Sequence, residues 1–148
     1  MWTTRPGETP VDRAKRRAGY AAIVLVVLAA VSLTQAGAIA AAAPVDLLAS
    51  AGAGDASAVT MASGLMLIAG TTALALAAAW MVWRTRSRVA ICVGLGLVAL
   101  NFVEYALALM AGQPSLRGVV VNLVAGGLLV LALGAARDYH RMKAAAPV

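Results

Sequence analysis

Arg84-Thr85-Arg86-Ser87-Arg88 is a short basic block between two long apolar runs, about 59–83 before it and about 89–111 after it. Roughly 20 apolar residues in a helix cross about 30 Å of hydrocarbon. Each flanking run meets that length, so the block reads as a loop at a membrane surface where the chain turns back. Two further runs of the same kind lie outward, at about 19–43 and 116–136. Lipid cannot satisfy an open backbone, so only helices or closed barrels span it. These runs lack the alternation of barrel strands. The expected fold is therefore an all-α membrane protein, a four-transmembrane-helix antiparallel bundle.

Composition agrees. Of the 148 residues, 62% are hydrophobic and 12% charged. A soluble domain carries about 25% charged residues, and a disordered chain is poor in apolar residues. The net charge of +6 could suggest nucleic acid in a soluble protein, but its distribution follows membrane topology instead. All but Arg117 of the 12 Lys and Arg residues fall in the N-terminal segment 1–18, the 84–88 loop or the tail 137–148. Cytoplasmic loops hold such an excess, so both termini are expected to be cytoplasmic. Tyr20, Trp80, Trp83 and Tyr139 lie at the same inner boundary, where amphipathic rings prefer to sit. The expectation is a multi-pass protein of a bacterial-type inner (cell) membrane, its basic ends near anionic lipid headgroups. The core 19–136 would be the membrane domain.

The punctuation fits. Pro44 ends the first run, Gly52, Gly54, Asp55 and Ser57 mark a loop, and Gly112-Gln113-Pro114-Ser115 marks a tight turn. The basic start, the apolar stretch 23–33 and the small residues 38–43 also resemble a cleavable secretory signal. An intact-mass measurement separates that reading from a retained first span. Ser32-Leu33-Thr34-Gln35 aligns with Asn101-Phe102-Val103-Glu104, and Ile68-Ala69-Gly70-Thr71 with Val124-Ala125-Gly126-Gly127. Those alignments suggest a tandem helical-hairpin repeat.

The chemistry-bearing residues are few. Cys92 is the single cysteine, so no internal disulfide forms. His140 is the single histidine and reads as part of a solvated tail. No metal site or cofactor is expected from such a set. What stands out is depth. At about 1.5 Å per residue, Glu104 lies about 24 Å past Arg88 and Asn122 about 22 Å before Arg137. Ser32 and Gln35 fall about 22 and 27 Å past Arg17. Glu104, Asn101, Asn122, Gln35 and Ser32 thus share one slab in the outer half of the bilayer. Asn101 and Glu104, three apart, are expected on one face. Gly118, Asn122, Gly126 and Gly134 form a small-residue stripe expected to meet a neighbouring helix, with Gly94, Leu97, Asn101, Glu104 and Ala108 opposite.

An acid at the middle of a membrane helix costs about 2.5–3.5 kcal/mol on insertion scales. In its neutral form Glu104 can donate to Asn122 or Gln35 and accept from Asn101. One reading makes this cluster interhelical glue, at about 0.6 kcal/mol per bond. The other makes Glu104 a proton- or ligand-binding group with the amides and Ser32 as helpers. The functions that follow are a non-enzymatic accessory subunit or homo-oligomer or, alternatively, a small transporter or ligand-binding module. Asn101-Phe102-Val103-Glu104-Tyr105 resembles the Asn-x-x-Glu part of the motif of the membrane-associated eicosanoid and glutathione metabolism family, four-helix proteins of this size. The resemblance covers only those residues. No Arg precedes Asn101 by a turn, and the fragment lies on the third span rather than the second. No activity is carried over from that family, and no enzyme is expected.

Overall fold

The computed structural model describes residues 7–43, 46–110 and 116–145. They form α1 (Pro10–Ala42), α2 (Leu47–Gly52), α3 (Ala56–Thr85), α4 (Arg88–Met110) and α5 (Leu116–Ala145), with no strand among the described residues. The runs 59–83 and 116–136 sit inside longer helices, α3 and α5, and α4 begins at Arg88, one residue before the run it carries. The helix containing the first run starts at Pro10, so Arg13, Lys15, Arg16 and Arg17 are helical. Its start is written in Thr9-Pro10-Val11-Asp12. Proline suits the first helical position, and the Thr9 hydroxyl oxygen accepts from the Asp12 backbone N–H at 3.1 Å. The last helix likewise runs on through the basic tail to Ala145. The turns expected at Pro44 and at 112–115 lie outside the described residues.

Between α1 and α3 the loop holds one short helix, α2, which hydropathy does not reveal because it spans only 6 residues. Asp55 then caps α3. Its carboxylate accepts from the Ser57 and Ala58 backbone N–H groups at 2.8 and 3.3 Å, as a capping residue should. At the other end Arg86 adopts φ 56, ψ 35, a left-handed conformation uncommon for a residue with a Cβ. Its Nη1 donates to the Val82 and Trp83 carbonyl oxygens at 3.0 and 2.7 Å. The Val82 carbonyl oxygen also accepts from the Arg86 backbone N–H at 3.0 Å, so side chain and main chain of Arg86 together close the helix end. Ser87 starts α4 by accepting from the Ala90 N–H at 3.3 Å.

Helix α1 packs on α3 and α5, α4 packs on the same two, and α2 packs on α3. The order around the bundle is α1, α3, α4, α5. The core is built largely of alanine: Ala18, Ala21 and Ala22 from α1, Ala78 and Ala79 from α3, Ala90 from α4, Ala125, Ala132 and Ala136 from α5. Leu25, Val82, Ile91 and Leu129 are the largest fully buried side chains. The bulk faces outward instead, with Val27, Leu33, Leu67, Trp80, Leu123 and Val130 all exposed. Small residues inside let helices approach closely, and large ones outside meet lipid. Among the described residues, α1, α3 and the stretch Gly118–Ala145 of α5 are long and apolar enough to cross a membrane. The chain is a helical membrane protein.

Candidate functional site

The polar residues expected at one depth divide into separate groups. Asn122 sits on α5 with 3% of its surface exposed. Asn101, half-buried on α4, reaches it: Asn101 Nδ2 donates to Asn122 Oδ1 at 3.4 Å. Asn122 Nδ2 in turn donates to the Gly118 carbonyl oxygen one turn back, at 3.0 Å. The fourth and third runs face each other as expected, but two amides make the contact without Glu104, and Asn122 does look into the bundle. The pairing is neutral. It can orient dipoles and hold helix register, and it supplies no acid, base or nucleophile.

Glu104 does not join it. The carboxylate side chain is exposed, as is Gln35 on α1, while Ser32 is half-buried. The Ser32 hydroxyl donates to the Leu28 carbonyl oxygen of its own helix at 3.1 Å. The expectation that Asn101 and Glu104 point the same way holds only loosely. Residues three apart differ by about 60° around a helix of 3.6 residues per turn. On α4 that angle carries Asn101 into the α5 seam and Glu104 out of it. The glycine stripe is displaced in the same way. Gly126 does meet α4, with Val98 Cγ1 3.4 Å from an added Cβ, whereas Gly134 has nothing within 4 Å. The buried face of α5 runs instead through Asn122, Ala125, Leu129, Ala132 and Ala136. On α4, Gly94 is the glycine that matters for packing, and Gly96 is open.

Two polar positions carry more than the sequence suggests. Thr72 on α3 is 4% exposed, and its hydroxyl has no hydrogen-bond partner. At about 1.5 Å per residue it lies some 18 Å before Arg84, close to the depth of Asn101. It adds a third helix to the polar layer. Among the Ser and Thr residues of these helices only its burial distinguishes it, and apolar surroundings on every side give burial no sequence signature. His140, expected in a solvated tail, is half-buried, with Nε2 3.2 Å from the Arg86 carbonyl oxygen. The last helix thus touches the α3–α4 turn.

At the basic end, Glu8 holds Arg16 through both carboxylate oxygens, each at 2.8 Å, and Arg16 Nη1 donates to the Tyr20 hydroxyl oxygen at 3.3 Å. Among the described residues no group of three or more His, Cys, Asp or Glu is placed to hold a metal ion. No protein family, curated protein or solved structure matches this chain.

Proposed function

We propose that this protein is a four-span component of a cell membrane, with both termini cytoplasmic, that acts by assembling with other membrane helices rather than by catalysis. Helix α4 is the fourth span in this reading; its 23 residues reach about 34 Å at the usual rise. The observation that carries the reading is the exposure of Glu104 on α4, beside exposed Gly96, Leu100 and Val103. A carboxyl group facing acyl chains costs about 2.5–3.5 kcal/mol. A partner helix laid on that surface removes the cost, and Gly96 with the exposed Ala99 lets it come close. The partner is a second copy or another membrane subunit.

Cys92 makes the test direct, because it is the single cysteine and is exposed on the same helix. Bismaleimide crosslinking in native membranes, read by mass, is expected to yield a dimer or one stoichiometric adduct through Cys92. Glu104→Leu is expected to change its yield. A chain that stays monomeric at every crosslinker length overturns the proposal. The transporter alternative predicts proton-dependent flux in liposomes that Glu104→Gln abolishes.

A further inference from the structure

At the basic end of the bundle α1 and α3 part to leave a pocket of about 430 Å³. Lys15, Arg16 and Arg86 line it, with Asp12 as the one acidic liner. Arg16 is taken up by Glu8 at 2.8 Å. Among the described residues neither Lys15 nor Arg86 has an ion-pair partner. Arg86 is held in place: its guanidinium lies over Trp83 at 5.6 Å. It also lies across Gly19, where an added Cβ would come within 3.3 Å of it. A side chain at position 19 would crowd the guanidinium, which would have to shift by a few tenths of an ångström.

A second, apolar groove of about 400 Å³ runs on from this pocket, away from the basic end. Ile23 and Trp83 line both, and Ala22, Val26, Leu76 and Ala79 continue it. From Lys15 to Val26 the cleft extends about 16 Å along α1. Arg84, over Trp80 at 5.5 Å, adds a cation at its edge. A cationic cup opening directly into a long apolar trough on a membrane-facing surface matches one chemistry, an anion attached to a hydrocarbon chain.

We propose that the α1–α3 cleft binds one anionic glycerophospholipid of the cytoplasmic leaflet, its phosphate against Lys15 and Arg86 and one acyl chain along the groove between Ala22 and Leu76. This rests on the membrane-crossing orientation proposed above and not on the assembly through α4. A juxtamembrane cation contributes about fivefold to anionic-lipid affinity.

The test uses the purified full chain, delipidated in mild detergent, and native mass spectrometry with added phosphatidylglycerol, phosphatidylcholine or soluble glycerol phosphate. One phosphatidylglycerol per chain is expected to saturate the site. Lys15→Gln is expected to weaken it about fivefold, and Lys15→Gln with Arg86→Gln about 30-fold. Ile23→Trp, which fills the groove without changing charge, is expected to weaken it as well. Arg141→Gln with Lys143→Gln removes equal charge elsewhere and is expected to leave it unchanged. Equal loss in that control overturns the site, as does equal binding of phosphatidylcholine or of glycerol phosphate, or full binding by Ile23→Trp. Should Arg86→Gln disturb the α3 end, Lys15→Gln and Ile23→Trp still decide. Release of the chain from membranes by alkaline wash overturns the membrane orientation instead, a result the lipid titration cannot mimic.

Discussion

A Cβ placed on Gly94 of α4 would lie 2.5 Å from Cδ2 of Leu25 on α1. These two helices are diagonal across the bundle, so the contact closes the centre where the other four interfaces meet. Leu25 and Leu129 are both fully buried, at 0% exposure, and Leu129 Cδ1 lies 3.4 Å from the same point. Neither can swing into open space.

Gly94→Ala is therefore expected to destabilise the bundle by about 1–3 kcal/mol, the usual cost of overpacking a filled core. Gly126→Ala is the contrast. Its nearest neighbour, Val98 Cγ1 at 3.4 Å, is at ordinary contact distance, so stability should hold or rise. Unfolding of both variants in detergent checks this; equal losses would contradict the placement of α4.

The amide pair yields a second expectation. Asn101→Leu leaves Asn122 Oδ1 without its donor, and Asn122→Leu removes both the pair and the bond to Gly118. A double-mutant cycle is expected to return a coupling of about 0.6 kcal/mol, typical of interhelical hydrogen bonds in membranes. The 3.4 Å separation argues against a larger value. A coupling near zero would show that the two amides do not meet.

Much of this bundle is legible in the chain because apolar length is a one-dimensional signal. The runs around Arg84-Thr85-Arg86-Ser87-Arg88 give two helices, α3 and α4, and the remaining runs give α1 and α5. The helix start at Thr9-Pro10 carries a capping signal, but the reading by apolar length passes over it, because the basic residues after it read first as charge outside the membrane. Facing is not legible. In helices apolar on every side, periodicity does not say which side is inward. That is why Glu104 is expected among the amides and lies outside them, and why nothing marks buried Thr72 beside Thr71. Asn122 faces inward as expected because it lies on the small-residue side of α5.

Asp55 gives a pH dependence. The Ser57 hydroxyl donates to its carboxylate at 2.7 Å, and the Ala58 and Ser57 backbone N–H groups add to the effect, holding its pKa below the ordinary 3.8. A carboxylate favoured in the folded state contributes stability above its unfolded pKa and loses it as pH falls through the lower folded value. Stability is expected to fall on acidification below 3.8 more steeply in the native chain than in Asp55→Asn, which keeps a capping oxygen without the charge. Parallel pH profiles for the two chains would contradict the cap.

Thr72 offers the sharpest test of the polar layer. Its hydroxyl is buried without a partner, while the neighbouring Thr71 hydroxyl donates to the Leu67 carbonyl oxygen at 3.0 Å. A buried unpaired hydroxyl carries a desolvation cost of about 1–3 kcal/mol, and an apolar isostere abolishes that cost without orphaning another group. Thr72→Val keeps the shape and is expected to stabilise the bundle by about 1 kcal/mol. Thr72→Ala also removes a methyl group from a packed site, so it should recover less or nothing. Thr71→Val forfeits a bond within its own helix and should be neutral or slightly destabilising. In order of stability, Thr72→Val is expected above the native chain, and Thr71→Val level with it or below. A less stable Thr72→Val chain would mean that the hydroxyl is bonded in the membrane, and the level shared by Thr72, Asn101 and Asn122 would then be a hydrated layer rather than a dry one.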